Sequence, residues 1–135
     1  MIAAIREILE DDSRVAYALL FGSHGRGSAH SGSDVDVAIG LAPGTRLSAH
    51  DIGDLVSRLE SKTAKTVDLL VLDEAPPAIA YRVFRDGVEV AVRDRAALVD
   101  RKARAILEYL DFRPIEELCA SGVLVAARGR QSRTR

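Results

Sequence analysis

The segment Val15–Phe21, with the sequence VAYALLF, is a continuous apolar run with the length of a β-strand. A strand whose side chains are apolar in both directions is typically buried on both faces of a sheet. The run therefore predicts a strand in the core of the domain. A Gly/Ser-rich connection, GSHGRGSAHSGS, follows it directly, and the next apolar pattern, Asp34–Leu41, predicts a second strand.

The rest of the sequence alternates between helical and strand patterns without an internal repeat. Apolar residues at helical spacing predict four helices, and short apolar runs predict two more strands. The helices are expected over residues 2–10, from Ser48 through Leu59, from Pro76-Pro77 to Gly87, and from about Asp94 to about Ala127 with an interruption near Pro114; the strands are expected over Thr66–Leu72 and Val88–Val92. This order predicts an α/β (α+β) fold, with a mixed sheet of about four strands packed by helices and a long helical C-terminus.

Two local signals support these boundaries. Ser48 and Asp51, three residues apart, resemble the capping box that opens a helix. Pro43-Gly44 is typical of a turn after the second strand. We therefore expect the second strand and the following helix to be joined by a short, well-defined connection.

Composition excludes several classes of protein. A chain of 135 residues with 47% hydrophobic residues can form one compact domain with a real core. Nineteen basic and twenty acidic residues give a net charge of −1, so direct stable nucleic-acid binding is not expected. The single cysteine, Cys119, cannot form an internal disulfide. No apolar run approaches the roughly 20 residues that span a bilayer, so we expect a cytoplasmic protein that does not associate with membranes.

The last eight residues carry four arginines and no acid. We therefore divide the chain into a domain over residues 1–127 and a basic, flexible tail over residues 128–135. The tail is either a solvated terminus or an arm that contacts an acidic partner or RNA.

The most informative pattern joins Gly22-Ser23 to Asp34-Val35-Asp36. Glycine at the end of a buried strand lets the backbone approach a ligand closely, and backbone N–H groups there attract phosphate oxygens. Asp34 and Asp36 are two residues apart in a strand, so both carboxylates leave the same face. Two such carboxylates repel unless a cation lies between them, and Mg²⁺ prefers oxygen ligands. The pattern predicts a phosphate cradle beside a divalent-metal site, as phosphoryl or nucleotidyl transfer requires.

Asp68 is a third candidate, since it lies within the otherwise apolar strand TVDLLVL, where an unpaired carboxylate is costly. If this strand neighbours the strand of Asp34 and Asp36, three carboxylates can hold two ions about 3.5–4 Å apart. The sequence contains neither a P-loop nor a G-x-G-x-x-G fingerprint.

At these residues the sequence resembles the nucleotidyltransferase superfamily of the DNA polymerase β type, and in particular its minimal nucleotidyltransferase (MNT) branch. The motifs that carry the resemblance are Gly22-Ser23, Arg26-Gly27 and Ser33-Asp34-Val35-Asp36. The resemblance extends to the antitoxins of HEPN–MNT toxin–antitoxin pairs through Val67–Leu72, Ala75–Gly87 and Asp111–Pro114. One difference is His24-Gly25, where many relatives have Arg-Ala.

The resemblance implies a Mg²⁺-dependent enzyme with ATP as donor. Asp34 and Asp36 would ligate both of two Mg²⁺ ions, and Asp68 would ligate one ion and help to activate the attacking hydroxyl. Gly22, Ser23, Arg26 and Ser33 would bind the nucleotide. The implied acceptor is a tyrosine of a cognate HEPN ribonuclease toxin, which addition of AMP would neutralise.

Two alternatives remain open. The chain could inhibit its toxin by binding alone, with a vestigial metal site. It could also modify a small molecule such as an antibiotic, although 135 residues leave no room for the acceptor domain that larger relatives carry. The base preference, the number of nucleotides added and the stoichiometry with the partner do not follow from the sequence.

Overall fold

The computed structural model describes residues 1–27 and 32–120, with the side chains of Arg26 and residues 112–120 left out. The helices are α1 (Ile2–Glu10), α2 (Gly22–Arg26), α3 (Ala49–Thr63), α4 (Pro77–Asp86) and α5 (Arg95–Ala120), and a single 3-10 turn covers Leu72–Glu74. The strands are β1 (Val15–Phe21), β2 (Val35–Leu41), β3 (Val67–Val71) and β4 (Val88–Val92). The predicted α/β fold with a four-stranded sheet is thus confirmed.

The sheet is mixed and has the strand order β3-β2-β1-β4. Strand β1 pairs antiparallel with both β2 and β4, whereas β2 and β3 are parallel and joined by α3. Asp36 lies opposite Phe21 on one side and opposite Asp68 on the other. The condition set by the sequence, that the strand of Asp68 neighbours the strand of Asp36, is therefore met.

The two faces of the sheet build two apolar clusters. Helices α1 and α3 cover one face, and α4 and α5 cover the other. The first cluster includes Ile5, Leu9, Leu20, Val35, Val37, Ile39, Leu55 and Leu59. The second includes Tyr17, Leu19, Ala38, Leu72, Ala80, Val83, Phe84 and Leu98. Strand β1 contributes residues to both clusters and alternates between them from Tyr17 to Leu20, which explains why its run is apolar throughout.

The local signals at the start of α3 are confirmed. The Asp51 amide donates a hydrogen bond of 3.1 Å to Ser48 Oγ, and the Ser48 amide donates one of 2.9 Å to Asp51 Oδ2, so the capping box is complete. The predicted turn is closed by a 3.0 Å bond from the Thr45 amide to the Ala42 carbonyl, with Gly44 at φ +75°. These contacts connect β2 to α3 without disturbing the strand ends.

The predicted interruption near Pro114 is wrong, because α5 runs without a break from Arg95 to Ala120. Proline inside a helix removes one backbone hydrogen bond and usually kinks or ends the helix. Pro114 removes one backbone hydrogen bond from a helix of 26 residues. The earlier turns of that helix are fixed by the buried side chains of Leu98 and Ala105. Residues 121–135, with the predicted helix end and the basic tail, lie outside the described residues, so the boundary between domain and tail stays a prediction.

Among the helices described, none is long and apolar enough to cross a membrane.

Candidate active site

The chain makes a sharp turn where β1 ends and α2 begins. Gly22 has φ +64°, a backbone conformation that side chains with a Cβ rarely adopt. A Cβ built on Gly22 would lie 2.2 Å from Asp36 Oδ2. Glycine is therefore required here by both the backbone angle and the space, and the turn brings bare backbone against the Asp36 carboxylate.

The three predicted acidic residues lie at one end of the sheet. Asp36 and Asp68 are paired in register on the parallel strands β2 and β3, so their side chains leave the same face. Asp34 precedes β2 by one residue. Asp34 and Asp68 are exposed and Asp36 is half-buried, while Val35 and Val37, on either side of Asp36 in the chain, are buried in the core on the other face.

The electrostatics of this end are those of like charges held together. Burial raises the pKa of Asp36, and the carboxylates of Asp68 and Asp34 raise it further. A hydrogen bond between the side chains of Asp36 and Asp68 acts in the same direction, whereas His24 acts against it. In the part of the chain described, no group of three or more His, Cys, Asp or Glu side chains is placed so that it could hold a metal ion as it stands. The carboxylates form an open, solvent-facing row.

This row fits a hard divalent cation chemically. Its donors are all carboxylate oxygens, the ligands that Mg²⁺ prefers. Burial is the main cause of the raised pKa of Asp36, and the neighbouring carboxylates add to it; a cation would offset the contribution of those carboxylates. The Nε2 atom of His24, in α2, is buried and has no hydrogen-bond partner among the described residues.

The candidate nucleotide-binding residues lie around the same turn. Ser23 follows Gly22 in α2, and Ser33 immediately precedes Asp34; both are half-buried and engaged in interactions within the chain. Arg26 is the last residue of α2, and its side chain is outside the described part. The structure thus brings these residues to one end of the sheet, and their roles in nucleotide binding stay predictions.

The C-terminal half of α4 also borders the site, and the sequence motifs had identified none of its residues as part of the site. A Cβ on Gly25 would lie 2.8 Å from the Leu20 carbonyl and 3.3 Å from the Asp86 carbonyl. A Cβ on Gly87 would lie 2.4 Å from the Val83 carbonyl and 3.2 Å from the Leu20 carbonyl. The absence of a Cβ at both glycines therefore lets the end of α4 lie close to Leu20, next to the turn at Gly22. The only sequence signal was the glycines themselves, which do not reveal their neighbours.

A cavity of about 390 Å³ opens between α4 and the Gly22 turn. Its apolar wall is formed by Phe21, Ile79 and Val83, and its polar wall by Arg82, Arg85 and Asp86, while Gly22 lies at its edge. Gly22 therefore separates the carboxylate row from a cavity that carries two arginines.

Comparison with known proteins gives a consistent result. The family model described as polymerase beta, nucleotidyltransferase, matches residues 3–96. No curated protein gives a significant match to the sequence.

Several solved structures share the fold. A toxin–antitoxin crystal structure with AMP-PNP is similar with a TM-score of 0.78 and 22% identity, over 92% of this chain and 98% of that chain. A crystal structure of the toxin–antitoxin MntA–HepT is similar with a TM-score of 0.72 and 20% identity, over 92% and 97%. A chain of the complex of a tri-AMPylated Shewanella oneidensis HEPN toxin with an MNT antitoxin has a TM-score of 0.72 and 19% identity, over 93% and 100%.

Proposed function

Because the chain belongs to the polymerase β nucleotidyltransferase family, we propose that it transfers AMP from ATP to a protein hydroxyl at the end of the sheet that carries Asp34, Asp36 and Asp68. The observation that supports this most directly is the in-register pairing of Asp36 with Asp68 beside the turn at Gly22. The backbone that would bind phosphate and the carboxylate oxygens that would bind a cation are thereby adjacent. Two Mg²⁺ ions, held by the three carboxylates, would supply positive charge to the triphosphate as negative charge develops on it.

The chain's own residues account for the remaining requirements. The backbone at Gly22, with Ser23, would hold the β- and γ-phosphates, and Ser33 and Arg26 would contribute further contacts to the nucleotide. Asp68 would accept the proton of the acceptor hydroxyl. The hydroxyl oxygen then bonds to the α-phosphorus, the bond from the α-phosphorus to the bridging oxygen breaks, and pyrophosphate leaves. Catalysis of this kind depends on alignment and charge neutralisation.

We further propose that the acceptor is a tyrosine of a HEPN-family toxin and that the chain acts as its antitoxin. The structural relatives come from toxin–antitoxin complexes, and one of those complexes contains a tri-AMPylated HEPN toxin. The chain covers almost the full length of these relatives.

The experiment is the intact mass of the candidate toxin after incubation with this protein, ATP and Mg²⁺. We expect an increase by whole AMP units and a parallel loss of the toxin's ribonuclease activity. The double variant Asp34→Asn with Asp36→Asn should give no increase. The matched control is Asp54→Asn with Asp100→Asn, which makes the same change of charge at two exposed helical positions and should modify the toxin at the wild-type rate.

The second candidate, inhibition by binding alone, gives a different result in the same experiment. The double variant would then form the complex and silence the toxin, and no mass would change with any variant. Transfer at the wild-type rate by the Asp34/Asp36 variant would refute the proposed active site.

A further inference from the structure

The cavity between α4 and the Gly22 turn has a positive charge that the described residues do not neutralise. Of its three charged residues, Arg85 and Asp86 pair with each other through bonds of 2.9 Å and 2.8 Å. The Arg85 guanidinium also lies 5.7 Å from the centre of the Tyr81 ring. Its charge is therefore already balanced and its position restrained.

Arg82 is different. It is exposed on α4, and within the described residues no hydrogen bond or ion pair engages its guanidinium. It lines the same cavity as Gly22. The cavity thus contains one ion pair and one uncompensated arginine.

The position of the cavity relative to the carboxylate row indicates which ligand Arg82 would bind. Gly22 lies beside Asp36 Oδ2 and also lines the cavity, whereas Asp36 does not line it. A triphosphate whose α-phosphate lies at the carboxylates and whose chain crosses the bare backbone of Gly22 would extend its terminal phosphates into this cavity. Arginine is suited to that end, because its planar guanidinium donates paired hydrogen bonds to phosphate oxygens.

We infer that Arg82 binds the β- and γ-phosphates of the nucleoside triphosphate and holds the pyrophosphate as it leaves. The inference rests on the proposed function and adds a residue to it. Bond cleavage leaves the electron pair of the broken P–O bond on pyrophosphate, and the Arg82 guanidinium would stabilise that charge. The residue lies outside the Gly-Ser and Asp-x-Asp motifs, on a helix that reaches the site through tertiary packing alone.

The test is nucleotide binding by the full chain without any acceptor, measured by calorimetry in the presence of Mg²⁺. The probes are α,β-methylene-ATP, which carries the triphosphate but cannot transfer AMP, and AMP, which lacks the two terminal phosphates. We expect Arg82→Ala to weaken α,β-methylene-ATP binding about tenfold or more, the usual effect of losing a charge-assisted contact to phosphate. Binding of AMP should change less than about twofold, and Arg82→Lys should retain part of the affinity because it keeps the charge.

The matched control is Arg104→Ala, which removes one exposed arginine from α5 at the opposite end of the sheet. It makes the same change of net charge on a helix and should leave both affinities unchanged. Melting temperatures of all variants, measured alongside, identify any variant that is not folded. If Arg82→Ala is not folded, Arg82→Lys tests the position instead.

The outcomes separate this inference from the function it rests on. If the wild type binds α,β-methylene-ATP and the Arg82 variants bind it equally well, the inference is wrong and the proposed function stands. An equal loss of affinity for both probes would also overturn it, because Arg82 would then act on the nucleoside or on the fold. If the wild type binds neither probe, the proposed function fails and the inference fails with it.

Discussion

Asp12 and Asp36 are two aspartates with opposite surroundings. Asp12, in the connection between α1 and β1, accepts bonds of 2.9 Å and 2.7 Å from the side chain of Arg14 and one of 3.0 Å from its amide. Arg58 lies 3.8 Å away on the same side. Asp36 instead has the carboxylates of Asp34 and Asp68 as its main charged neighbours, and His24 offsets a smaller part of their effect. One carboxylate is surrounded by cations and the other by anions.

The pKa shifts follow these surroundings. The side-chain hydrogen bond from Arg14 holds the pKa of Asp12 below its usual value, although burial acts in the other direction. Burial and the neighbouring carboxylates raise the pKa of Asp36. The charge of Asp12 is thus balanced by arginines in a region to which we assign no function. The carboxylate charges are left unmatched at the end of the sheet where we propose that a cation binds, as is frequent at functional sites.

The strongest way to break this comparison is to remove each charge in turn. Asp36→Asn should lower AMP transfer about 10³-fold and raise the free energy of unfolding of the metal-free protein by roughly 0.5–1 kcal/mol, because a repulsion is removed. Asp12→Asn should leave transfer within about twofold. It should lower the free energy of unfolding by about 1 kcal/mol, because it weakens a hydrogen-bonded ion pair whose arginine is partly solvated. Initial transfer rates and urea denaturation measure the two effects.

The two variants serve as controls for each other, since each makes the same chemical change. A marked loss of stability in Asp36→Asn would mean that this carboxylate is part of the structural framework. A large loss of transfer in Asp12→Asn would mean that the division between the two regions does not hold.

A smaller change tests whether the bare backbone at Gly22 matters for the site or only for the turn. Gly22→Ala and Gly27→Ala both place a Cβ on a residue with positive φ, and each should cost about 1 kcal/mol of stability. Only the first Cβ meets the Asp36 carboxylate, because nothing lies within 4 Å of a Cβ on Gly27. Displacing that carboxylate should reduce transfer about 100-fold in Gly22→Ala, with little change in Gly27→Ala. Equal loss of transfer in both variants would assign the effect to the α2 turn as a whole.

The smallest expected effect is the pH dependence of the Asp12 pair. A carboxyl whose pKa is lower in the folded protein stabilises the fold above its unfolded pKa, and this stabilisation is lost as the pH falls through the folded pKa. The stability difference between the wild type and Asp12→Asn should therefore be constant from neutral pH down to about 4, near the ordinary pKa of aspartate, and shrink below it. Urea denaturation at a series of pH values measures it. A difference that stayed constant below that pH would show that the hydrogen bonds at Asp12 do not require its charge.

Sequence patterns predicted well those features that depend on residues close together in the chain. The capping box at Ser48 and Asp51 and the turn at Pro43-Gly44 are local, and both formed as expected. The alternation of β1 between two apolar clusters also follows from its composition. Pro114 is the exception, since the tendency of proline to end a helix is opposed by the turns of α5 that pack before it.

Tertiary contacts were predictable only in part. Asp68 lies beside Asp36 only because β3 is the neighbour of β2. Sequence patterns do not determine the order of strands, so this placement could be predicted only on the condition that the two strands are neighbours. The placement of Arg82 carried no signal at all. An exposed arginine in an amphipathic helix is ordinary, and its nearness to Gly22 depends on how closely Gly25 and Gly87 let α4 approach β1.

The position of β3 at the edge of the sheet has a dynamic consequence. An edge strand is held by one neighbour, so β3 can separate from β2 locally while β2 and β1 remain paired. Such an opening would remove Asp68 from the row but leave Asp34, Asp36 and Gly22 in place. Under the proposed roles, fluctuations of this single strand would lower the rate of transfer more than the affinity for nucleotide, because Asp34, Asp36 and Gly22 would keep their contacts. Amide exchange of β3, compared with that of β2, would then report on how often the chain can hold a nucleotide without being able to use it.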